Sequence, residues 1–246
     1  MLQLQLSVSG WGVRLHIHGP PELLQLDDPH GLPPGPAAPA ADDVEHNLRW
    51  DEQRQLWRGE SSGESYLGLE QAVTLEVACH SPVGMFVHAG VVGWADRAWL
   101  LPGTSHSGKS ELVHALVSLG CGYLSDEFAV LQSDGRVLAY PRPLSLRQPP
   151  RRLSPPPYPG GPLAVGGMLC LRYSAQRNWR EAERAQAFEG LVANTVAART
   201  RSRELLKLAA RLLPQIPVLC GERHEALESG PELLAWMSRN LSPCTD

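Results

Sequence analysis

Over positions 1–18 apolar and polar residues alternate one for one, with Val13, Leu15 and Ile17 on one side and Arg14, His16 and His18 on the other. A period of two is the spacing of a half-buried strand, so this stretch predicts strands. Residues 27–43, rich in Pro, Ala and Gly, break the alternation and read as a loop or linker. Alternation resumes over 44–66, enough for two more strands, and gives way to helical spacing over 69–79. The runs 85–92 and 98–101 are two further strand candidates. Leu112, Val113, Leu116 and Leu119 then recur at helical spacing, and Gly120 and Gly122 supply a helix stop. Tyr123-Leu124-Ser125 reads as a short strand, and Asp134-Gly135 as the turn of a hairpin between 128–132 and 137–140. The Pro-rich stretch 148–162 predicts an irregular flap. Beyond it, 179–198 and 202–213 carry helical periodicity, interrupted by Pro214 and Pro217. A late strand at Val218-Leu219-Cys220 and a final helix over 231–237 complete the pattern. Interleaved strands and helices predict an α/β protein, with a β-rich N-terminal region over 1–68 and a second domain over 69–246.

Composition narrows the function classes. A chain of 246 residues can bury a sizeable core, and a formal charge of −4 gives no electrostatic footprint for nucleic acid. Five cysteines, Cys79, Cys121, Cys170, Cys220 and Cys244, are scattered without a C-x-x-C pair, which suggests neither a disulfide framework nor a zinc site. The alternating N-terminus is not a signal peptide, and no stretch has the ~20 apolar residues of a membrane span. A cytoplasmic protein that binds neither membrane nor nucleic acid is expected. His16 and His18 have the i, i+2 spacing of a metal pair, but no third ligand accompanies them, so they read as solvent-facing strand residues.

The chemistry concentrates between residues 84 and 135. Gly103-Thr104-Ser105-His106-Ser107-Gly108-Lys109-Ser110 fits G-x-x-x-x-G-K-[ST], with an apolar strand before it and a helical pattern after it. In such a loop backbone N–H groups and the helix N-terminus cradle phosphate oxygens, the lysine reaches the β- and γ-phosphates, and the hydroxyl residue ligates Mg²⁺. Of the 22 basic residues only Lys109 and Lys207 are lysine. A chain that otherwise writes arginine keeps a compact point charge at this position. Asp126-Glu127 follows 16 residues after Ser110, at the end of a predicted strand, where ligands of open α/β sheets sit.

The runs H-A-G-V-V from His88, L-L-P-G-T-S-H-S-G-K-S-E-L, L-S-D-E-F-A-V-L and Y-P-R-P-L-S-L-R resemble, in order and spacing, the catalytic domain of the HPr serine kinase family, and its HPr-kinase-related branch above all. The resemblance covers roughly residues 69–175. It implies a core similar to the nucleotide-binding part of phosphoenolpyruvate carboxykinase, a mostly antiparallel or mixed sheet carrying a P-loop, with the β-rich N-terminal region as an appendage. It further implies ATP on residues 103–110, with Lys109 neutralising charge and Mg²⁺ held by Ser110 and Glu111, to which Glu127 is added as the second acid of the pair. Asp126 matches the general base that takes the proton of the acceptor serine, and His88 the histidine near the transferring phosphoryl group. Arg142 matches an arginine that contacts phosphate or acceptor; capping a carbonyl is its plainer role, as helix-dipole complementarity is for Glu111.

The chain departs from the family pattern at Glu127, where a second aspartate is usual, and at His106, where a glycine is usual. The expectation is an ATP-dependent kinase acting on a serine or other hydroxyl of a protein or peptide, a ribosomally made peptide precursor included. The alternative is a catalytically inactive module that binds ATP or ADP and docks a peptide or protein partner. Homo-oligomerisation stays open.

Overall fold

The computed structural model describes residues 4–24, 32, 33, 35, 43–103, 107–147, 149–156 and 158–241. It is a mixed α/β protein that divides into two compact units, Met1–Met85 and Phe86–Asp246.

In the first unit, β1 (Leu4–Gly10) and β2 (Val13–Gly19) form an antiparallel hairpin. Its two turn residues, Trp11 and Gly12, both have positive φ, as a type I′ turn requires. The expected alternation is observed: Val13, Leu15 and Ile17 are fully buried. β3 (Val44–Asp51) lies parallel to β2, and β4 (Leu56–Gly59) and β5 (Ser65–Tyr66) extend the sheet antiparallel, so 44–66 yields three strands where two were expected. Most of the predicted loop at 27–43 lies outside the described residues. Helix α1 (Leu69–His80) contacts β2, β3, β4 and β5. It belongs to this unit, so the division falls after Met85 and not after Gly68.

The second unit is built on an eight-stranded mixed sheet. Its strands are β6 (Met85–Trp94), β7 (Arg97–Pro102), β8 (Gly122–Ser125), β9 (Phe128–Leu131), β10 (Arg136–Leu138), β13 (Leu163–Tyr173), β14 (Asn178–Glu181) and β15 (Val218–Arg223). β7, β13 and β15 run parallel to one another, and the other measured pairings are antiparallel. Between them in sequence, β11 (Leu144–Arg147) and β12 (Pro150–Leu153) form a separate hairpin. The predicted irregular flap is thus partly ordered.

Helices cover both faces. On β13, Leu169 and Leu171 join the core with Leu112 and Leu116 of α2 (Lys109–Ser118) and Leu233 and Trp236 of α5 (Ala226–Arg239). Cys170, between them, points the other way and meets Gly190 of α3 (Arg184–Asn194). Helix α4 (Ser202–Leu212) buries Leu205, Leu208, Ala209 and Leu212, the stripe its spacing predicts. The expected helix 179–198 starts late: Trp179 lies on β14, and a capping box of Glu183 and Gln186 opens α3 only at Arg184. No helix among the described residues is long and apolar enough to cross a membrane.

Candidate functional site

Residues 103–110 leave β7 and enter α2. Thr104, Ser105 and His106 lie outside the described residues, so Gly103 and Ser107 to Ser110 define the two ends of the turn. Gly108 has φ +79°, and a Cβ on it would come within 2.5 Å of Arg223 Nη2, so any other residue is strained there. Two carbonyls here are tied down. Ser107 O accepts from Tyr173 N–H at 3.1 Å, and Gly108 O accepts from the Arg223 guanidinium and from Leu112 N–H. Since N–H and C=O of one peptide unit point opposite ways, these ties turn the N–H groups of Gly108 and Lys109 away from β13 and β15. Gly108 brings no side chain to cap α2, which leaves its first-turn N–H groups open to an anion.

Two acids are delivered by the turn between β8 and β9. Buried Ser125 shapes that turn: its Oγ accepts from Glu127 N–H at 3.1 Å and Phe128 N–H at 3.0 Å. Asp126 then faces α2, where Ser110 Oγ donates to Asp126 Oδ2 at 2.8 Å. Its other oxygen, Oδ1, is buried with no hydrogen-bond partner among the described residues. Burial pushes the Asp126 carboxyl up to about 6, with Glu111 and Glu127 adding to the rise and the Ser110 hydrogen bond and Lys109 opposing it. Glu127 Oε2 accepts from Arg142 Nη1 at 3.0 Å. Arg142 is placed in turn by its own carbonyl, which takes the Tyr123 hydroxyl.

Lys109 and His88 complete the constellation. Burial lowers the Lys109 pKa, against the charges of Asp126 and Glu127. His88 Nδ1 lies 2.9 Å from Gly103 O. A carbonyl only accepts, so Nδ1 carries the proton in the neutral ring and Nε2 is left as an acceptor. Burial, reinforced by the Lys109 charge, lowers the His88 pKa and favours that neutral form. The same strand holds both ends of the site: Gly103 N–H donates to His88 O, and Ala89 N–H to Glu127 O.

His88, Gly108, Lys109, Ser110, Glu111, Asp126, Glu127 and Arg142 all line one cavity of about 650 Å³. The expected site residues that the structure describes are therefore brought together, apart from Gly103 and Ser107, which line a neighbouring cavity. No known protein family, curated protein or solved structure matches the chain. What the arrangement can do is read from its chemistry alone.

Arg147, Arg223 and Glu225 also line the cavity and were not anticipated as site residues, and Arg152, whose plainest reading beside Arg151 is a solvated loop, joins them. Ser145, Arg147 and Arg152 share one face of the β11–β12 hairpin, since Ser145 and Arg152 are register partners, while Leu144 and Leu146 turn to the core. The alternation at 144–147 could have shown this; the surrounding prolines masked it. Arg223 is 2% exposed, held by the carbonyls of Gly108 and His224, and nothing local in the sequence marks it.

Among the described residues no group of three or more His, Cys, Asp or Glu side chains is placed to hold a metal ion. Ser110 Oγ and Glu111, both on the cavity wall, could help hold a hard divalent cation together with oxygens of a bound phosphate and water, the usual composition of a Mg²⁺ site.

Proposed function

We propose that the chain is an ATP-dependent kinase of the kind its motifs resemble, an HPr-kinase-related enzyme that transfers the γ-phosphoryl group to a serine or other hydroxyl of a protein or peptide. The observation that carries this reading is the buried, unpartnered Asp126 Oδ1, set beside Ser110 Oγ at the foot of a helix N-terminus and in the field of Lys109. An orphaned buried carboxylate oxygen costs stability unless a ligand completes it. An acceptor hydroxyl beside Mg²⁺–ATP fits: the hydroxyl would donate to Asp126 Oδ1, Ser110 and Glu111 would help hold the cation, which neutralises charge on the phosphates, and the N–H groups at 108–110 would meet their oxygens. A mixed sheet with β7 feeding α2, flanked by antiparallel β6 and parallel β13, supports a core of the phosphoenolpyruvate-carboxykinase kind. The dependence on ATP favours a cytoplasmic setting.

In this reading Lys109 offsets charge on the transferring group, and Asp126, ionised above about pH 6, accepts the proton of the acceptor hydroxyl. The acceptor oxygen bonds to the γ-phosphorus as the bond to the ADP oxygen breaks. His88, neutral and fixed through Nδ1, presents Nε2 to the same space. Arg142 pairs with Glu127 at 3.0 Å and offsets its charge beside Asp126. Catalysis here is positioning and electrostatics, with little covalent work for the protein.

Calorimetric binding of Mg²⁺–ATP and its slow hydrolysis, measured for wild type, Lys109→Ala and Asp126→Asn, test the reading. Loss of affinity in the lysine variant and loss of turnover in the aspartate variant are expected. Unchanged nucleotide affinity in Lys109→Ala would refute it. Tight binding with no transfer to any hydroxyl acceptor would favour the nucleotide-responsive docking module.

A further inference from the structure

Cys170 and Cys220 stand side by side. They are direct register partners on the parallel strands β13 and β15, so their side chains leave the sheet on the same face. Neighbouring strands lie about 4.8 Å apart, inside the Cα separation of about 4.4–6.8 Å that a disulfide accepts. On the other side of β15, Arg180 is the register partner of Cys220, which completes a row of thiol, thiol and guanidinium across three strands. Both thiols are half-buried and line a cavity of about 670 Å³ whose wall also includes Gly103 and Ser107. The helix above leaves them room: a Cβ on Gly190 would approach Cys170 Sγ to 3.0 Å.

The two thiols are unequal. The neighbouring Cys220 and burial push the Cys170 thiol up, whereas Cys170 and the Arg180 guanidinium hold Cys220 below the usual thiol range. Arg180 stands beside Cys220 and not beside Cys170, so Cys220 is the thiol placed to attack first. Cys121 is the internal contrast, buried and pushed up to about 12.

We infer that Cys220 and Cys170 form a reversible thiol–disulfide site, open to low-molecular-weight disulfides of the glutathione class, whose modification closes the cavity lined by Gly103 and Ser107. The Cys220 thiolate attacks one sulfur of the small disulfide and releases a thiolate. Cys170 then attacks the Cys220 sulfur of the mixed disulfide, its proton passing to the second departing thiol. The pair is oxidised by two electrons and the external disulfide is reduced to two thiols. A disulfide confined between neighbouring strands and reachable from a cavity belongs to the labile class that such thiols reopen.

The experiment exposes the native protein to oxidised glutathione, alkylates the remaining thiols and maps tryptic peptides. Cys170 and Cys220 fall in separate peptides, 153–172 and 212–223. Expected are a cross-link between these peptides in wild type, a glutathione adduct on 212–223 in Cys170→Ser, and an unmodified 153–172 in Cys220→Ser. Full alkylation of both cysteines in the exposed wild type would overturn the proposal without recourse to the variants. The closure of the cavity rests on the kinase reading and is read by Mg²⁺–ATP affinity, expected to fall at least tenfold in the glutathione adduct of Cys170→Ser. Cross-linking with unchanged affinity of that adduct would overturn the closure, whereas failure of the reduced wild type to bind Mg²⁺–ATP would count against the kinase reading and leave the thiol site intact.

Discussion

Replacing Asp126 by Asn should remove a pH-dependent burden on the fold. In the folded protein burial raises the Asp126 carboxyl to about 6, from an ordinary value of 3.8. A raised acid pKa means that the folded state holds the proton more tightly than the unfolded chain, so ionisation weakens the fold as pH climbs from the lower value through the upper. At about 1.4 kcal/mol per pH unit, the rise from 3.8 to about 6 gives a penalty of about 3 kcal/mol, most of which develops between about pH 4 and pH 7. Asn is nearly isosteric and can still accept from Ser110 Oγ, but it does not titrate. Whatever constant offset the amide brings, the stability of Asp126→Asn relative to wild type should swing by about 2–3 kcal/mol in the variant's favour over that range. Urea unfolding at a series of pH values measures the swing, and amide exchange in the peptide spanning α2 assigns it to the second unit. A difference between the two proteins that does not change with pH would refute the buried carboxylate, and one that moves against the variant would mean that Asp126 is stabilised as an anion.

Gly108→Ala places a Cβ at φ +79° and against Arg223 Nη2; a loss of about 1–3 kcal/mol by thermal or urea unfolding is expected, together with loss of Mg²⁺–ATP binding, and a neutral effect would contradict the loop geometry. Arg142→Gln removes the cation that offsets Glu127, whose charge already raises Asp126. The acid limb of the pH–rate profile should therefore move to higher pH, and an acid limb that stays in place would separate Arg142 from the Asp126 field. Leu116→Ala, in the fully buried seam between α2, α5 and the sheet, should cost about 2–5 kcal/mol in urea unfolding while leaving the nucleotide affinity of the folded protein intact.

Much of the architecture was legible because it is written in local periods. The alternation over 13–17, the helical stripe at 205–212 and the Asp134-Gly135 turn correspond to β2, α4 and the β9–β10 hairpin. The failures share a cause, which is that a residue's neighbours in space outweighed its neighbours in sequence. Trp179 fits a helical pattern, yet β15 offers an open edge, and Trp179 pairs there with Gly221 while the Arg177 guanidinium stacks on its ring at 4.6 Å. Pro150 reads as a breaker, yet it opens β12, a position where its missing N–H is tolerated. Pro231 reads as the first residue of a helix, but α5 begins at Ala226. Pro231 sits inside the helix and has no N–H to offer the Leu227 carbonyl. The domain boundary was misplaced because only packing, not period, assigns α1 to the first sheet.

The site divides along the same line. Its loop, its paired acids and His88 lie within forty residues of one another and were marked by residue type and spacing. The groups that hold them in place come from elsewhere in the chain. Arg223 grips Gly108 O from 115 residues away, and Tyr173 N–H grips the neighbouring carbonyl. A guanidinium so deeply buried loses solvation and is tolerated only where fixed carbonyls and nearby acids, here Glu111 and Glu225, repay it. Burial in turn fixes the guanidinium position, which crowds any Cβ at 108. The glycine that announces the motif in the sequence is thus favoured twice, by its own positive φ and by an arginine the motif does not contain, and Arg223 acts with Tyr173 N–H to turn the N–H groups of Gly108 and Lys109 away from β13 and β15.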